Sequence, residues 1–478
     1  MQRLWRPGEL RELDRRTIEE VGVPGIALME RAGAEAARVI LERFPDARRP
    51  RILVGGGNNG GDGYVIARHL LDAGLDPRIS LVTPPTTSAA QTMAHAAARC
   101  QIPVTADESD GDLIVDAIFG TGLRGAPDEA VAPVIERACA SGVPIVAIDV
   151  PSGVAGSGEV PGAAIRATLT IALHGRSLGV AIEPGRGCAG EVLVAPIGLS
   201  RQCEGPATAW LMELADLAAV PQRGAAGSKY DAGSVLVIGG SDGMSGAPAL
   251  AARAALRAGA GLVWACVPNA VIDRVAAHTP EVMVCGLERA LELAARAGAV
   301  VCGPGLGRDA HVAPLVERLV AEVSTPLLLD ADALFALAGR LGELAGRAHP
   351  TVLTPHAGEL ARLLGVERRQ VDANRLTSVE AASSLSGACV LLKGPDTLVA
   401  FPGEALRVVE TAVPQLATAG AGDVLSGVIG ALLARGLAPI DAASLGGLAH
   451  GLAAGEAQKR LGTLLASDLE GPLGRLLA

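Results

Sequence analysis

The sequence predicts an α/β protein of two domains, each built on a largely parallel sheet. Three observations carry that reading. Short runs of Val, Ile and Leu alternate with Ala-rich helical stretches, and the runs are continuously apolar, as strands covered on both faces must be. The pattern runs through, is punctuated, and restarts without a short internal repeat. A chain of 478 residues, 49% hydrophobic and only 19% charged, also has core enough for more than one domain.

In the first half, residues 8–43 read as helix, followed by strands over 51–55, 78–83, 112–118, 144–149, 168–173 and 191–196, with a helix over 86–100. Glu204-Gly205-Pro206 and Pro221-Gln222-Arg223-Gly224-Ala225-Ala226-Gly227 then break the pattern, so the boundary is placed near 203–227 and the domains at 1–215 and 216–478. The second half offers strands over 234–239, 261–267, 298–302, 326–330, 351–354 and 388–393, then 396–400 with 406–411 as a hairpin. Its helices read as 246–258, 269–277, 358–364, 375–385 and 423–435.

Composition narrows the function classes. The formal net charge is -10 and no basic stripe with interleaved aromatics is present, which argues against a nucleic-acid partner. The N-terminus, MQRLWRPGELRELDRRTIEE, lacks the apolar centre of a secretory signal. No uninterrupted apolar run of about 18 residues suggests a membrane span. A cytoplasmic protein without a membrane partner is expected. The 8 cysteines form no C-x-x-C pair. Cys266, Cys285, Cys302 and Cys389, in or beside apolar runs, read as small buried hydrophobes rather than disulfides or zinc ligands.

Open parallel sheets bind ligands beyond the carboxyl ends of their strands, and the unusual polar clusters sit there. GGGNNGGDG, Gly55 to Gly63, satisfies G-x-G-x-x-G through Gly55, Gly57 and Gly60. A dinucleotide fold of the usual kind needs an acidic residue closing the next strand, and here Thr83-Pro84-Pro85 closes it. What remains is a glycine-rich helix start suited to phosphate, with Asn58, Asn59 and Asp62 as side-chain donors and acceptors. DAIFGTGLRG, Asp116 to Gly125, and DVPSG, Asp149 to Gly153, end two further strands. Three strand ends thus aim oxygen atoms at one crevice, a donor set that suits a hard cation.

Together these motifs resemble the NAD(P)H-hydrate epimerase domain, a Rossmann-like three-layer sandwich, over residues 8–205. The resemblance implies that Asn58, Asn59, Gly60, Gly61 and Asp62 contact a damaged dinucleotide. It implies the same of Gly120, Thr121, Gly122, Leu123, Arg124, Gly125 and Ala126. Asn59, Asp116 and Ser152 would hold a potassium ion, and Asp149 would touch the hydrated nicotinamide ring as acid/base. One position departs from the family. Where it carries a Lys after the fifth strand, this chain reads Leu173-His174-Gly175-Arg176-Ser177-Leu178-Gly179, with Ser177 at that place. Arg176 is a poor proton carrier. His174 stands as the alternative proton carrier or as a structural histidine.

In the second half, ATAGAGDVLSG, Ala417 to Gly427, puts glycines before a helix whose apolar face holds Val424, Leu425, Val428, Ile429, Leu432 and Leu433. Its amides and dipole suit an anion. Asp423, at the helix start, fits a general base for phosphoryl transfer or a cap. Lys393-Gly394-Pro395-Asp396-Thr397 and Thr354-Pro355-His356-Ala357-Gly358-Glu359 close two more strands. His356 is a ligand contact or a cap; Asp330 and Asp332 either assist magnesium or cap the following helix.

GAGD before a helix resembles the ribokinase-like superfamily. The fuller set is GGSDGMSGA, GPGLG, LDADAL, TPHAGE, KGPDT and AGAGDVLSG. It is similar to the ADP- or ATP-dependent NAD(P)H-hydrate dehydratases, a ribokinase-like α/β/α domain, over 225–478. The resemblance implies Ala247, Gly305, His356 and Asp423 at the hydrated dinucleotide. Lys393, Gly394, Pro395, Asp396 and Thr397, with Gly420 and Gly422, would hold the nucleotide. Magnesium would accompany it. The whole would be a repair enzyme for NADHX and NADPHX, interconverting R and S hydrates in one domain and dehydrating the S form with ADP or ATP in the other. Apolar surface and the resemblance favour a homo-oligomer. The competing reading is a small-molecule kinase of the ribokinase superfamily with a noncatalytic, ligand-binding first domain.

Overall fold

The computed structural model describes residues 1–105, 111–222, 232–410 and 413–477; residues 223–227 of the expected boundary and Thr411 of the expected last strand lie outside them. The chain divides into two compact units, Arg3–Ala209 and Trp210–Ala478, the latter with Met1–Gln2.

The first unit opens with two helices, α1 (Pro7–Glu19) and α2 (Gly25–Arg43), where one helical stretch over 8–43 is expected. Periodicity bridges the gap, but Gly22 takes a left-handed φ of 79° and Pro24 sits extended as the cap before α2. Proline also disfavours helix in the residue before it. The alternation then follows the expected order: β1 (Pro50–Val54), α3 (Asn58–Asp72), β2 (Arg78–Leu81), α4 (Ser88–Arg99), β3 (Leu113–Ala117), α5 (Ala132–Ala140), β4 (Ile145–Ile148), β5 (Leu169–Leu173) and β6 (Glu191–Ala195). The six strands run β2-β1-β3-β4-β5-β6, all parallel. β1 and β3 are buried along their whole length, Arg51 and Asp116 included. Strand order reverses between β1 and β3, so their carboxyl ends splay into a crevice.

In the second unit the strands are β7 (Ser234–Ile238), β8 (Leu262–Val267), β9 (Met283–Gly286), β10 (Ala299–Cys302), β11 (Leu327–Leu329), β12 (Thr351–Leu353), β13 (Cys389–Leu392), β14 (Asp396–Ala400) and β15 (Leu406–Glu410). They line up β15-β14-β13-β12-β11-β10-β7-β8-β9. Pairing is parallel from β9 to β13. It turns antiparallel through β14 and β15, the expected hairpin. The covering helices that matter for the site are α6 (Gly246–Arg257), α7 (Ala357–Leu364), α8 (Arg375–Ser386), α9 (Ala421–Ala434) and α10 (Pro439–Leu461). The expected helix 269–277 is a 3-10 turn, Asn269–Val271, running into an α-helix, Ile272–His278. All 8 cysteines are free; Cys266, Cys302 and Cys389 are buried as expected, whereas Cys285, on the edge strand β9, is only partly buried. No helix among the described residues is long and apolar enough to cross a membrane.

Several elements escape the sequence pattern, among them the helices Ala132–Ala140, Val312–Glu322 and Glu470–Leu476, the strand β9 and the helix α10. β9 is a four-residue edge strand whose Met283 is exposed, and its short run Val282–Cys285 is only partly buried. α10 spans 23 residues but is rich in glycine, which propensity counts against a helix. Packing explains it: a Cβ at Gly446 would lie 2.7 Å from the side chain of Ile429, so the glycine lets α10 settle on α9. α9 in turn touches α6 through Gly427, where an added Cβ would fall 2.0 Å from the Ala251 carbonyl oxygen. Backbone cannot yield there as a side-chain tip would. Gly427→Ala is therefore expected to lower unfolding stability by about 1–3 kcal/mol, read from the denaturant midpoint. An unchanged midpoint contradicts this packing account.

Candidate active sites

The crevice of the first unit is a cavity of about 600 Å³ lined by Asn58, Asn59 and Asp62 from α3 and by Gly120 to Arg124 and Asp149 from the turns after β3 and β4. α3 begins at Asn58, so its first amides open at this cavity. Gly60 and Gly61 lie in close packing beneath instead. A Cβ on either would meet the Gly55 carbonyl or the Met29 side chain. Gly125 is a turn residue with φ 78°, and Ala126 packs beside Gly162; neither lines the cavity.

Asp149 adopts φ 69°, rare for a residue with a side chain. Its Oδ2 accepts the Thr121 amide at 2.8 Å. A Cβ at Gly120 would fall 2.6 Å from that oxygen, so glycine is what lets the carboxylate reach the cavity wall. Burial pushes the Asp149 carboxyl above its ordinary value, against the bonds from Thr121. Asp62 is pushed well above, by burial and by the charges of Asp149 and Asp14.

Beside them, Asp116 accepts the Ser152 hydroxyl at 2.6 Å and the Ser152 amide at 2.8 Å. The Ser152 hydroxyl in turn accepts the Phe119 amide at 2.9 Å. Burial raises Asp116 to about 6 despite these bonds. Both polar atoms of the Asn59 side chain are buried without a hydrogen-bond partner, and an added Cβ at Gly120 would lie 3.6 Å from that side chain.

Ser177 does not face the cavity. It is fully buried; its oxygen accepts the Gly179 amide at 3.2 Å and donates to the Gly156 carbonyl at 3.3 Å. His174 lies edge-on to Trp5 at 5.5 Å and is also absent from the cavity wall. Of the two readings left open for it, the structural one describes its surroundings. Sequence reasoning passed over Arg11 and Asp14 of α1, which do line the cavity. A second lobe of about 600 Å³ continues past Asp14 and Asp62 among Ile18, Ile26, Met29 and Ala32. The signal was present: Leu10, Asp14 and Ile18 fall four residues apart on one helix face, a charge in an apolar stripe.

In the second unit, Asp423 lies in the first turn of α9, behind Gly420, which takes φ 85° as the cap. Burial raises the Asp423 carboxyl to about 7, with the Asp330 charge adding to it and Lys393 opposing. Lys393 donates to Asp330 Oδ1 at 2.8 Å and stands 3.8 Å from Glu359. A Cβ at Gly422 would lie 3.5 Å from the Lys393 nitrogen, which places the ammonium against the α9 start. Ala247 and Gly305 meet across the turns after β7 and β10, an added Cβ at Gly305 lying 2.9 Å from that of Ala247.

His356 caps α7, its Nδ1 accepting the amides of Gly358 and Glu359 at 3.0 and 3.1 Å, while the ring remains exposed. Capping and ligand contact are therefore compatible. Asp330 is not the cap it was offered as: it makes no side-chain cap bond. Asp332 accepts the Gly307 amide at 2.9 Å. Asp396 is buried beneath its loop, its carboxylate 3.0 Å from Arg375. Gly394 lies against that same guanidinium. The Lys393–Thr397 loop is thus held from below by α8. The helix α10 adds His450, which donates to the Ala421 carbonyl at 3.0 Å and which burial keeps neutral, at about 4.

Comparison with known proteins gives the family. Residues 25–179 match the family model described as YjeF-related protein N-terminus, and residues 235–473 match that described as NAD(P)H-hydrate dehydratase. The chain is 38% identical to the bifunctional NAD(P)H-hydrate repair enzyme Nnr of Moorella thermoacetica, over 96% of this chain and 94% of that protein. It is 36% identical to the enzyme of the same name from Escherichia coli, over 99% and 94%. Among solved structures, a ribokinase-like superfamily protein from Enterococcus faecalis covers 56% of this chain and 95% of its own, with 24% identity and a TM-score of 0.52, and shows the shared fold. The chain belongs to the family of bifunctional NAD(P)H-hydrate repair enzymes.

Proposed function

We propose that the protein repairs hydrated nicotinamide dinucleotides. Its first domain, 1–215, interconverts the R and S forms of NADHX and NADPHX. Its second, 216–478, dehydrates the S form to NADH or NADPH at the expense of ADP or ATP. The observation that carries the second assignment is Asp423: a carboxyl at about 7, seated at an amide-rich helix start beside Lys393.

Hydroxide is a poor leaving group from the nicotinamide ring. Asp423 would take the proton of the ring hydroxyl as its oxygen attacks the terminal phosphoryl group of the nucleotide. The amides of Gly420 to Gly422 and the ammonium of Lys393 offset the charge that develops. The ring nitrogen then expels phosphate and a ring proton leaves, restoring the double bond. Ala247, Gly305 and His356 would border the hydrate, and the Lys393–Thr397 loop the adenine nucleotide. Among the described residues no group of three His, Cys, Asp or Glu is arranged to hold a metal. Magnesium would therefore come on the nucleotide's phosphates, its common mode, and supply charge neutralisation there.

In the first domain, Asn58, Asn59, Asp62 and the Gly120–Arg124 turn would hold the dinucleotide, with Asp149 as acid/base. Two carboxyls in one cavity that share a charge favour one neutral and one ionised member. Asp62, which burial and the charges of Asp149 and Asp14 raise, would carry the proton and Asp149 would act as base. A potassium ion at Asn59, Asp116 and Ser152 is supported by the orphaned polar atoms of Asn59 and would supply a fixed positive charge. A homo-oligomer in the cytoplasm completes the reading.

Four outcomes test it. Dehydration, followed by recovery of NADH absorbance, should rise with pH through about 7, because a base with a raised pKa works only once deprotonated. Asp423→Asn should still bind ADP but lose about 10²–10⁴-fold in turnover; full activity in that variant removes the base assignment. For epimerisation, Asp149→Asn should slow R/S exchange by about 10²-fold or more, whereas Ser177→Ala should leave it within about threefold. A Ser177→Ala enzyme that no longer exchanges, yet folds, would restore that position to the chemistry.

A further inference from the structure

We propose that Asp330 is a positioning residue for the dehydration step, clamping Lys393 at the start of α9; this rests on the dehydratase reading above. Asp330 follows β11 and is 1% exposed. A charge so buried costs several kcal/mol unless it is paired and hydrogen-bonded. Both its oxygens are engaged, and by different elements. Oδ1 accepts the Lys393 ammonium at 2.8 Å. Oδ2 accepts the hydroxyl of Ser426, fully buried on α9, at 2.6 Å.

One carboxylate therefore joins the ends of β11 and β13 to the helix that carries Asp423. Its own backbone is fixed from the other side. The Asp330 amide donates to Cys302 at 3.0 Å. A Cβ at Gly303, whose φ is 127°, would lie 1.8 Å from the Asp330 carbonyl oxygen. The GPGLG turn thus owes its first glycine to Asp330.

The object of the clamp is Lys393. Without Asp330 its nearest carboxylate is Glu359, at 3.8 Å, which is itself bound to the His356 amide at 2.8 Å. The ammonium would lose the contact that fixes it beside Gly422. A point charge on a four-carbon stem has little orientation of its own, so a fixed carboxylate decides where it stands when a phosphoryl group arrives. Asp330 touches no reacting atom; it acts through Lys393.

The test uses the full chain. Asp330→Asn keeps the shape and the Ser426 contact but removes the charge. It is expected to fold, to lose about 10²-fold in kcat and to raise KM for ADP about tenfold, with KM for the hydrate within about threefold. Calorimetry should show ADP binding weakened about tenfold, a readout that does not need the reaction. A folded Asp330→Asn enzyme with kcat and ADP affinity within about threefold of the parent overturns the proposal. If that variant does not fold, Ser426→Ala takes its place. It leaves the Lys393 pair but frees one carboxylate oxygen, and should lower kcat about fivefold; parental kcat overturns the proposal. A parent that binds ADP but never regenerates NADH counts instead against the dehydratase reading, and the ADP affinity of Asp330→Asn still decides the clamp.

Discussion

A helix end rich in free amides would, acting alone, hold a nearby carboxylate ionised. At the start of α9 burial works against that tendency, and the Asp330 charge adds to burial, so that Asp423 titrates near 7. The site depends on this opposition. An aspartate at its ordinary value would be a weak base; one buried without Lys393 would hold its proton to higher pH. Burial and the charges of Asp330 and Asp332 raise that group, and Lys393 lowers it.

The first unit reaches a related balance by different means. Asp149 is brought to the wall by a left-handed backbone and by a glycine opposite it. Asp62 reaches the same cavity from α3 and Asp14 from α1. With the position expected to hold a lysine occupied by a buried, capping serine, the proposed epimerisation would leave proton traffic to carboxyls. That is chemically adequate, since neighbouring acids whose surroundings separate their pKa values can act as donor and acceptor.

Most strands were legible because they centre on short apolar runs, a signal that needs no tertiary information. The polar clusters were legible for a related reason: placed directly after such runs, they must sit at the carboxyl edge of a sheet. What the sequence hid is what packing decides. α10 is helical because glycines let it approach α9, although glycine propensity opposes helix. The split between α1 and α2 rests on Gly22 and Pro24, which a periodicity count overrides. Asp330 offered two local readings, cap or metal contact, and its partners Lys393 and Ser426 lie 63 and 96 residues away. Asp14 was visible only as a charge in an apolar stripe. Whether such a residue faces a cavity is settled by the helix it packs on.

The most direct measurement is the titration of Asp423 itself. With aspartate side-chain carboxyls labelled with carbon-13 in the full-length protein, and the signal assigned by its loss in Asp423→Asn, the midpoint is expected at about 7. A midpoint at the ordinary 3.8 would mean that the helix end wins outright, and the account of this group as a base poised by burial would be wrong.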